Sequence, residues 1–451
     1  MKTLAVKLLN GQLGKGLARV VGEPKSLRFR LARDTVGVMV IQAISMGLTF
    51  ATSVVLARLL GVREFGLYSL GMSVLGLLVV PATLGFPQLL VREIAAYRVK
   101  DEWNLIRGLL RFAQRTSLLA SMVIAILGSL FLLFLDGHFS KETMQVLILA
   151  FIALPFWAIL ELQGSSLRGF DHILVSQWTS TVMRPLCFLL ILGAFWLFLG
   201  RKQSVYLALE LHILATVITS VFAFYFLQGQ LRGSVSSNVV SQNASVWVQS
   251  ALFMAFQSFL NLIPQHAGTL VLAWMRSPEE VGFYKVAYQV ASLIPFGLMA
   301  VNTAIAPTLA QLYAVRDQAK LCKVMLVSSI MATIFALPLV LLFTLGGKRF
   351  LLSIFGRNFG LGAGPLLILT LGQFIFVALG PLLLFLVMTG REDKATLITG
   401  TTAALNVVMN LLFIPVWGPK GAALATSISL VFLKTQALFY IIVSEKRHGT
   451  R

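Results

Sequence analysis

Apolar residues run along this chain in long blocks, without the alternation of a half-buried strand or the single stripe of a surface helix. Twelve blocks reach spanning length, at 36–57, 66–90, 116–135, 144–163, 179–199, 204–227, 248–273, 284–306, 323–345, 362–388, 395–417 and 420–443. An apolar helix of about 20 residues rises 1.5 Å per residue and so covers the ~30 Å of bilayer hydrocarbon. The pattern predicts an all-α integral membrane protein with about 12 transmembrane helices. The first two blocks are joined by a tight basic turn, RLLGVREFGLYSL, which makes them a helical hairpin.

That turn recurs. Glu64-Phe65-Gly66-Leu67-Tyr68 is echoed by Glu280-Val281-Gly282-Phe283-Tyr284, and a proline-bearing apolar helix follows each copy, with Pro81 in one and Pro295 in the other. The offset is 216 residues, close to half of 451, as in a duplicated six-helix unit. Six spans return the chain to its starting side, so the halves share one orientation and their pseudo-twofold axis lies along the membrane normal. The predicted organisation is a basic segment at 1–33, one lobe at 34–227, a polar linker at 228–247, a second lobe at 248–443 and a tail at 444–451. These are two pseudo-symmetric six-helix bundles around a central cavity.

Composition agrees: 57% of residues are hydrophobic and 12% charged, against about 25% charged in soluble domains. The net charge of +20 does not point to nucleic acid, because the cations lie in short segments between apolar blocks. Their distribution orients the chain. The segments on the side of the N-terminus hold 24 of the 37 Lys and Arg and the opposite loops hold 10, which predicts cytoplasmic termini and external E-x-G-x-Y turns. The leader has no apolar core and no cleavage site for a signal peptide, and reads as a retained basic segment on anionic headgroups or a frayed tail. Cys187 and Cys322 form no metal or disulfide pattern, and no cofactor is expected.

A charge at mid-bilayer costs roughly 2.5–3.5 kcal/mol even on the gentlest scale, so those present call for a wet cavity or a partner. The candidates are Arg58, Arg92, Glu161, Arg184, Glu210, His212, His266, Lys285 and Lys434. Arg58, Arg92 and Lys285 lie near span ends, where snorkelling to headgroups is the alternative. Glu161 and Arg184 suggest a pair between adjacent spans, and Lys434 has a stem long enough to reach the interface. The two histidines read as hydrogen-bonded structural residues. Uncharged polar stripes say more. Gln42, Ser45, Thr49, Thr52 and Ser53 cluster on one side of the first span, and Gln257, Asn261 and Gln265 recur every fourth residue in the seventh. These two spans are equivalent in the duplication, so both stripes are expected to line one cavity, with helix-to-helix hydrogen bonds as the alternative. Arg58 falls nearly opposite the first stripe on an ideal wheel.

The chain resembles the Wzx-type polysaccharide (O-antigen) flippases of the multidrug/oligosaccharidyl-lipid/polysaccharide (MOP) exporter superfamily over about 34–443. The resemblance rests on Leu60-Gly61 through Gly66-Leu67-Tyr68, Leu90-Val91-Arg92-Glu93-Ile94-Ala95, Leu167-Arg168-Gly169 and Val281-Gly282-Phe283-Tyr284 with Ala287-Tyr288 and Pro307. Pro415, Trp417-Gly418 and Gly421 to Thr426 complete it. It implies a transporter, not an enzyme, in the bacterial cytoplasmic membrane, with a polyprenyl-pyrophosphate-linked oligosaccharide, membrane lipids and polysaccharide assembly proteins as partners. The lipid-linked sugar would cross from the cytoplasmic to the outer leaflet by alternating access. The pyrophosphate would meet Arg58, Arg92, Arg184 or Lys285, and the sugars Gln42, Thr49, Gln257 and Asn261.

Three alternatives stay open, one of them a non-transporting scaffold or lipid scramblase, which would not require paired polar stripes. A cation-coupled multidrug exporter of the same superfamily needs a buried carboxylate for its coupling ion, and Glu161 and Glu210 are the candidates for it. A membrane glycosyltransferase or polymerase needs acids on a sizeable external loop, whereas the longest one, 346–361, carries Lys348, Arg349 and Arg357 without any.

Overall fold

The computed structural model describes residues 27–134, 139–199, 204–231, 239–315 and 317–448, nearly all of them helical. The expected basic leader up to residue 26, the middle of the linker at 232–238 and the end of the tail lie outside the described residues. The seventh span is helical from Val239, nine residues before the first apolar block position at 248.

Ten helices are long and apolar enough to cross a membrane, and an eleventh span is the bent pair Pro278–Ala291 and Phe296–Ala314, which meet at 43°. The longest, Leu27–Thr83, holds two helices folded across Gly61 (φ 75°, ψ −179°), a conformation that side-chain-bearing residues rarely adopt. Dividing it there gives the twelve expected spans among the described residues. The second span breaks at Leu84 and Gly85 and continues as Phe86–Val99. The tenth breaks at Gly380 (φ 71°) before Leu382–Met388.

The repeated turn has the same work in each half. Glu64 accepts a hydrogen bond from the backbone N–H of Val205 at 3.0 Å, so it caps the first turn of the sixth span, Val205–Gln228. Its counterpart Glu280 lies against Gly418, at the start of the twelfth span, where an added Cβ would come within 2.6 Å of the carboxylate. Tyr68 is hydrogen-bonded to His212 Nδ1 of the sixth span at 3.0 Å, and Tyr284 to Thr426 Oγ1 of the twelfth, also at 3.0 Å. Between them, Gly66 and Gly282 bring the two copies together: a Cβ on Gly66 would lie 1.8 Å from the Pro278 carbonyl oxygen, and one on Gly282 2.5 Å from that of Val62. Arg63 and Glu279, also 216 positions apart, form an ion pair at 3.4 Å across the same seam. Identical charges at related positions would repel near the axis; divergence of the copies has made them opposite.

Around this contact the turn end of the molecule is sealed. Phe50 packs edge-on to Phe355 and Phe65 to Phe359, with ring centroids 5.8 and 6.0 Å apart. Arg58 donates to the carbonyls of Ser353 and Ile354, which end the ninth span. It therefore clamps one lobe to the other with its charge on a helix C-terminus. Along one side, the second span packs on the seventh over its length: a Cβ on Gly85 would sit 2.0 Å from the Ala251 carbonyl, and Gln88 donates to Ser258 at 2.7 Å. On the other side, the inner part of the first span leans on the fifth, where Gly37 meets Leu174, and barely touches Phe296–Ala314. The lobes are thus closed at the turn end and along one seam, and ajar along the other seam at the far end.

Small residues set how closely spans approach within a lobe. A Cβ on Gly372 of the tenth span would lie 2.9 Å from Cα of Ser427 and 2.5 Å from its Cβ in the twelfth. Gly372→Ala is expected to destabilise by about 1–3 kcal/mol, the usual cost of overpacking, and to appear as an earlier thermal transition of the solubilised protein. Asn406 and Asn410 are fully buried in the same lobe, Asn406 donating to Ser429 Oγ at 3.2 Å. Lys434 departs from the snorkelling alternative: it is 2% exposed and its ammonium donates to the Gly380 carbonyl freed by the break in the tenth span.

Candidate functional site

Between the lobes is a chamber of about 780 Å³. It is lopsided. The first, second, fourth, fifth and sixth spans supply most of its wall, the seventh and eighth supply Ser258, Asn261, Leu262, His266, Lys285 and Gln289, and no described residue beyond Gln289 lines it. Its charged lining residues are Arg168, Arg184, Lys285 and Glu161, three cations against one carboxylate.

The fifth span explains the placement of Arg184. Pro185 has no backbone N–H, so the Thr181 carbonyl loses its helical donor; the helix widens into a π turn at Trp178–Met183, and the Ser45 hydroxyl of the first span donates to that carbonyl at 3.0 Å. Directly after the π turn, Arg184 lays its guanidinium over the Trp157 ring of the fourth span, 3.9 Å from the centroid. Trp157 is also stacked on His212, ring centroids 5.6 Å apart and planes 4° from parallel. His212 is held in turn by Tyr68 and by Phe188 at 4.9 Å. The layers Arg184, Trp157 and His212 fix the cation by its face. Among the described residues no carboxylate lies within 4.0 Å of Arg184, which leaves its N–H groups available to an incoming anion.

The expected pairing of Glu161 with Arg184 is not what forms. Glu161 meets Arg168 instead, at 3.6 Å, because seven residues are two helical turns and place both on one face of the fourth span. Arg168 also donates to Ser165 Oγ at 2.7 Å.

Of the residues singled out in the sequence, Thr49, Asn261, Arg184, Lys285 and Glu161 line the chamber, with Ser45, Thr52 and Ser53 from the same stripe as Thr49. His212 and His266 line it as well, and the others stand elsewhere. Gln42 lies a turn beyond Ser45, outside the lining. Arg58 is the interlobe clamp at the turn end, and Arg92 is exposed and paired with Glu93 at 2.8 Å. Gln257 donates to Thr396 Oγ1 of the eleventh span at 3.2 Å, the helix-to-helix bond that was the alternative for the stripe. Glu210 is exposed on the outside of the sixth span. Sequence reading did not place Tyr68, Gln88, Trp157, Arg168 or Ser258 in the site. Two of them carried a signal, Tyr68 as part of the repeated turn and Arg168 as part of Leu167-Arg168-Gly169. His266 enters through a notch at Gly76, where a Cβ would be 2.7 Å from its ring, so the second span touches the seventh beside the chamber. No three His, Cys, Asp or Glu side chains gather as a metal site among the described residues.

This geometry, two helical lobes around a chamber whose charged lining is mostly cationic, is that of a multi-pass membrane transporter. The chain belongs to the polysaccharide biosynthesis protein family, which matches residues 31–313, and the MatE family matches 250–412. Together they place it in the MOP superfamily. A curated relative, the probable low-salt glycan biosynthesis flippase Agl15 of Haloferax volcanii, is 22% identical over 405 residues, 88% of this chain and 81% of that protein. Among solved structures, a multidrug resistance MATE family transporter in an inward-facing conformation superposes with a TM-score of 0.72 at 15% identity, covering 92% of this chain and 100% of that one. The lipid II flippase MurJ, inward closed, gives 0.71 at 14% identity over 90% and 87%. The shared fold is the all-α transporter fold expected from the sequence.

Proposed function

We propose that this protein flips a polyprenyl-pyrophosphate-linked oligosaccharide from the cytoplasmic to the outer leaflet of the cytoplasmic membrane, bacterial as the resemblance implies, with both termini on the cytoplasmic side. The observation that carries the reading is the chamber's charge: three cations to one carboxylate, with that carboxylate already engaged by Arg168. Such a lining suits a phosphate-bearing head, and a cationic drug would find it repulsive. The opening between the first span and Phe296–Ala314 lets a polyisoprenoid tail remain in lipid while its head is inside. The relative Agl15 is described as a glycan flippase, which supports the substrate class. Thr49, Asn261, Ser45 and Gln289 offer the hydroxyl and amide partners that sugars need. The protein supplies a path and performs no covalent step.

Deletion of the gene is expected to leave a lipid-linked oligosaccharide accumulating on the cytoplasmic side and to reduce surface glycan, with drug susceptibility unchanged. The structural likeness to a multidrug transporter makes the second half of that test necessary. Heightened drug susceptibility with normal glycan export would replace this reading by cation-coupled drug export.

A further inference from the structure

We propose that Arg107, Arg111 and Arg115 form a docking ladder for the headgroup phosphate of an anionic phospholipid, separate from the chamber. All three lie in the third span, Trp103–Phe134, four residues apart and therefore on one face. The buried residues at this end of the helix are Ile106, Gly108, Leu109, Leu110, Ala113 and Ser117, and all except Gly108, which has no side chain, form one row. At 100° per residue, Arg111 and Arg115 point away from it, and the row they begin continues through Leu119, Met122 and Ile126, which are 64, 45 and 60% exposed. This is the lipid-facing side of the bundle.

Depth selects the headgroup layer. Phe134 ends the helix 19 residues beyond Arg115, about 28 Å at 1.5 Å per residue, so Arg115 stands at the edge of a hydrocarbon core of ~30 Å. Arg111 and Arg107 follow at intervals of about 6 Å into the polar layer. None of the three makes an ion pair with a described carboxylate, and Nε of Arg107 is buried without a hydrogen-bond partner. The nearby Asp101 carboxylate is engaged by the Trp103 indole N–H at 3.1 Å. Guanidinium donors stacked on a lipid-facing surface at phosphate depth, with no internal anion, are complementary to phosphatidylglycerol or a diphosphatidyl lipid.

The test is native mass spectrometry of the full-length protein released from nanodiscs of equal phosphatidylglycerol and phosphatidylcholine. Wild type is expected to retain phosphatidylglycerol preferentially. R111Q/R115Q should lower that preference roughly thirtyfold, about fivefold for each arginine near an anionic surface, while R111K/R115K keeps most of it and K323Q, which removes an exposed cation elsewhere, changes nothing. Equal retention of the two lipids by wild type, or an R111Q/R115Q protein indistinguishable from wild type, overturns the proposal. So does displacement of the retained lipid by farnesyl pyrophosphate at stoichiometric concentration, which would assign the ladder to the transported substrate. The readout involves no transport, so its failure leaves the chamber reading standing, and failure of the chamber reading leaves the ladder testable.

Discussion

Arg184→Gln is expected to lower glycan export by about thirtyfold to a hundredfold with the protein still folded and inserted. A charge-assisted hydrogen bond contributes about 1.5–3 kcal/mol, and in the proposed function this guanidinium is the group that meets the phosphate. Glutamine keeps a polar group over Trp157 and loses both the charge and the fork. Arg184→Lys restores the charge without the planar surface that lies 3.9 Å above the indole, so an intermediate defect is expected. Export is measured in a deletion strain complemented with each variant, alongside the amount of protein extracted from the membrane. Full export by R184Q would remove this arginine from the account.

Gly66→Leu acts at the other end. The atoms nearest its added Cβ are the Pro278 carbonyl oxygen at 1.8 Å, its carbon at 2.8 Å and the Gly282 amide nitrogen at 3.0 Å, all backbone, so no side-chain rotation relieves the clash. The two turns must part, and with them the Phe65–Phe359 contact and the Arg63–Glu279 pair. Export should fall at least tenfold, because a transporter that cannot close one end cannot complete a cycle. Gly282→Ala, 2.5 Å from the Val62 carbonyl, tests the same seam from the other lobe with a smaller group. A spin-label distance across the turns is expected to lengthen in both variants. Unchanged distance and unchanged export would show that the turns are not a gate.

Much of the architecture could be read from the chain because crossing a bilayer imposes a long apolar block, and a duplicated turn of five residues leaves a visible offset. Gly61, which divides the longest helix, lies in the turn already identified from the sequence. The site was legible only in part. A buried charge such as Arg184 announces itself, but its partner depends on which spans touch. Glu161 and Arg168, two turns apart on one helix, could have been paired from sequence alone, whereas Trp157 and Arg184 belong to different spans. The stripes of the first and seventh spans marked the right faces without their limits: the chamber stops short of Gln42, and Gln257 is drawn to Thr396 because the eleventh span packs against the seventh. Gly85 and Gly372 gave no signal of the contacts they permit, since a glycine in an apolar run looks the same with or without a neighbour at 3 Å.

The central claim is a water-filled chamber that opens to one side of the membrane at a time, and thiol accessibility at Asn261 tests it most directly. The probe is Asn261→Cys in a chain carrying C187S and C322S, labelled in oriented vesicles by a membrane-impermeant maleimide. Labelling from the cytoplasmic side alone is predicted, shifting to the external side when Gly66→Leu holds the turns apart. A thiol that reacts from neither side in either background would mean a dry seam between the lobes, and would contradict the account.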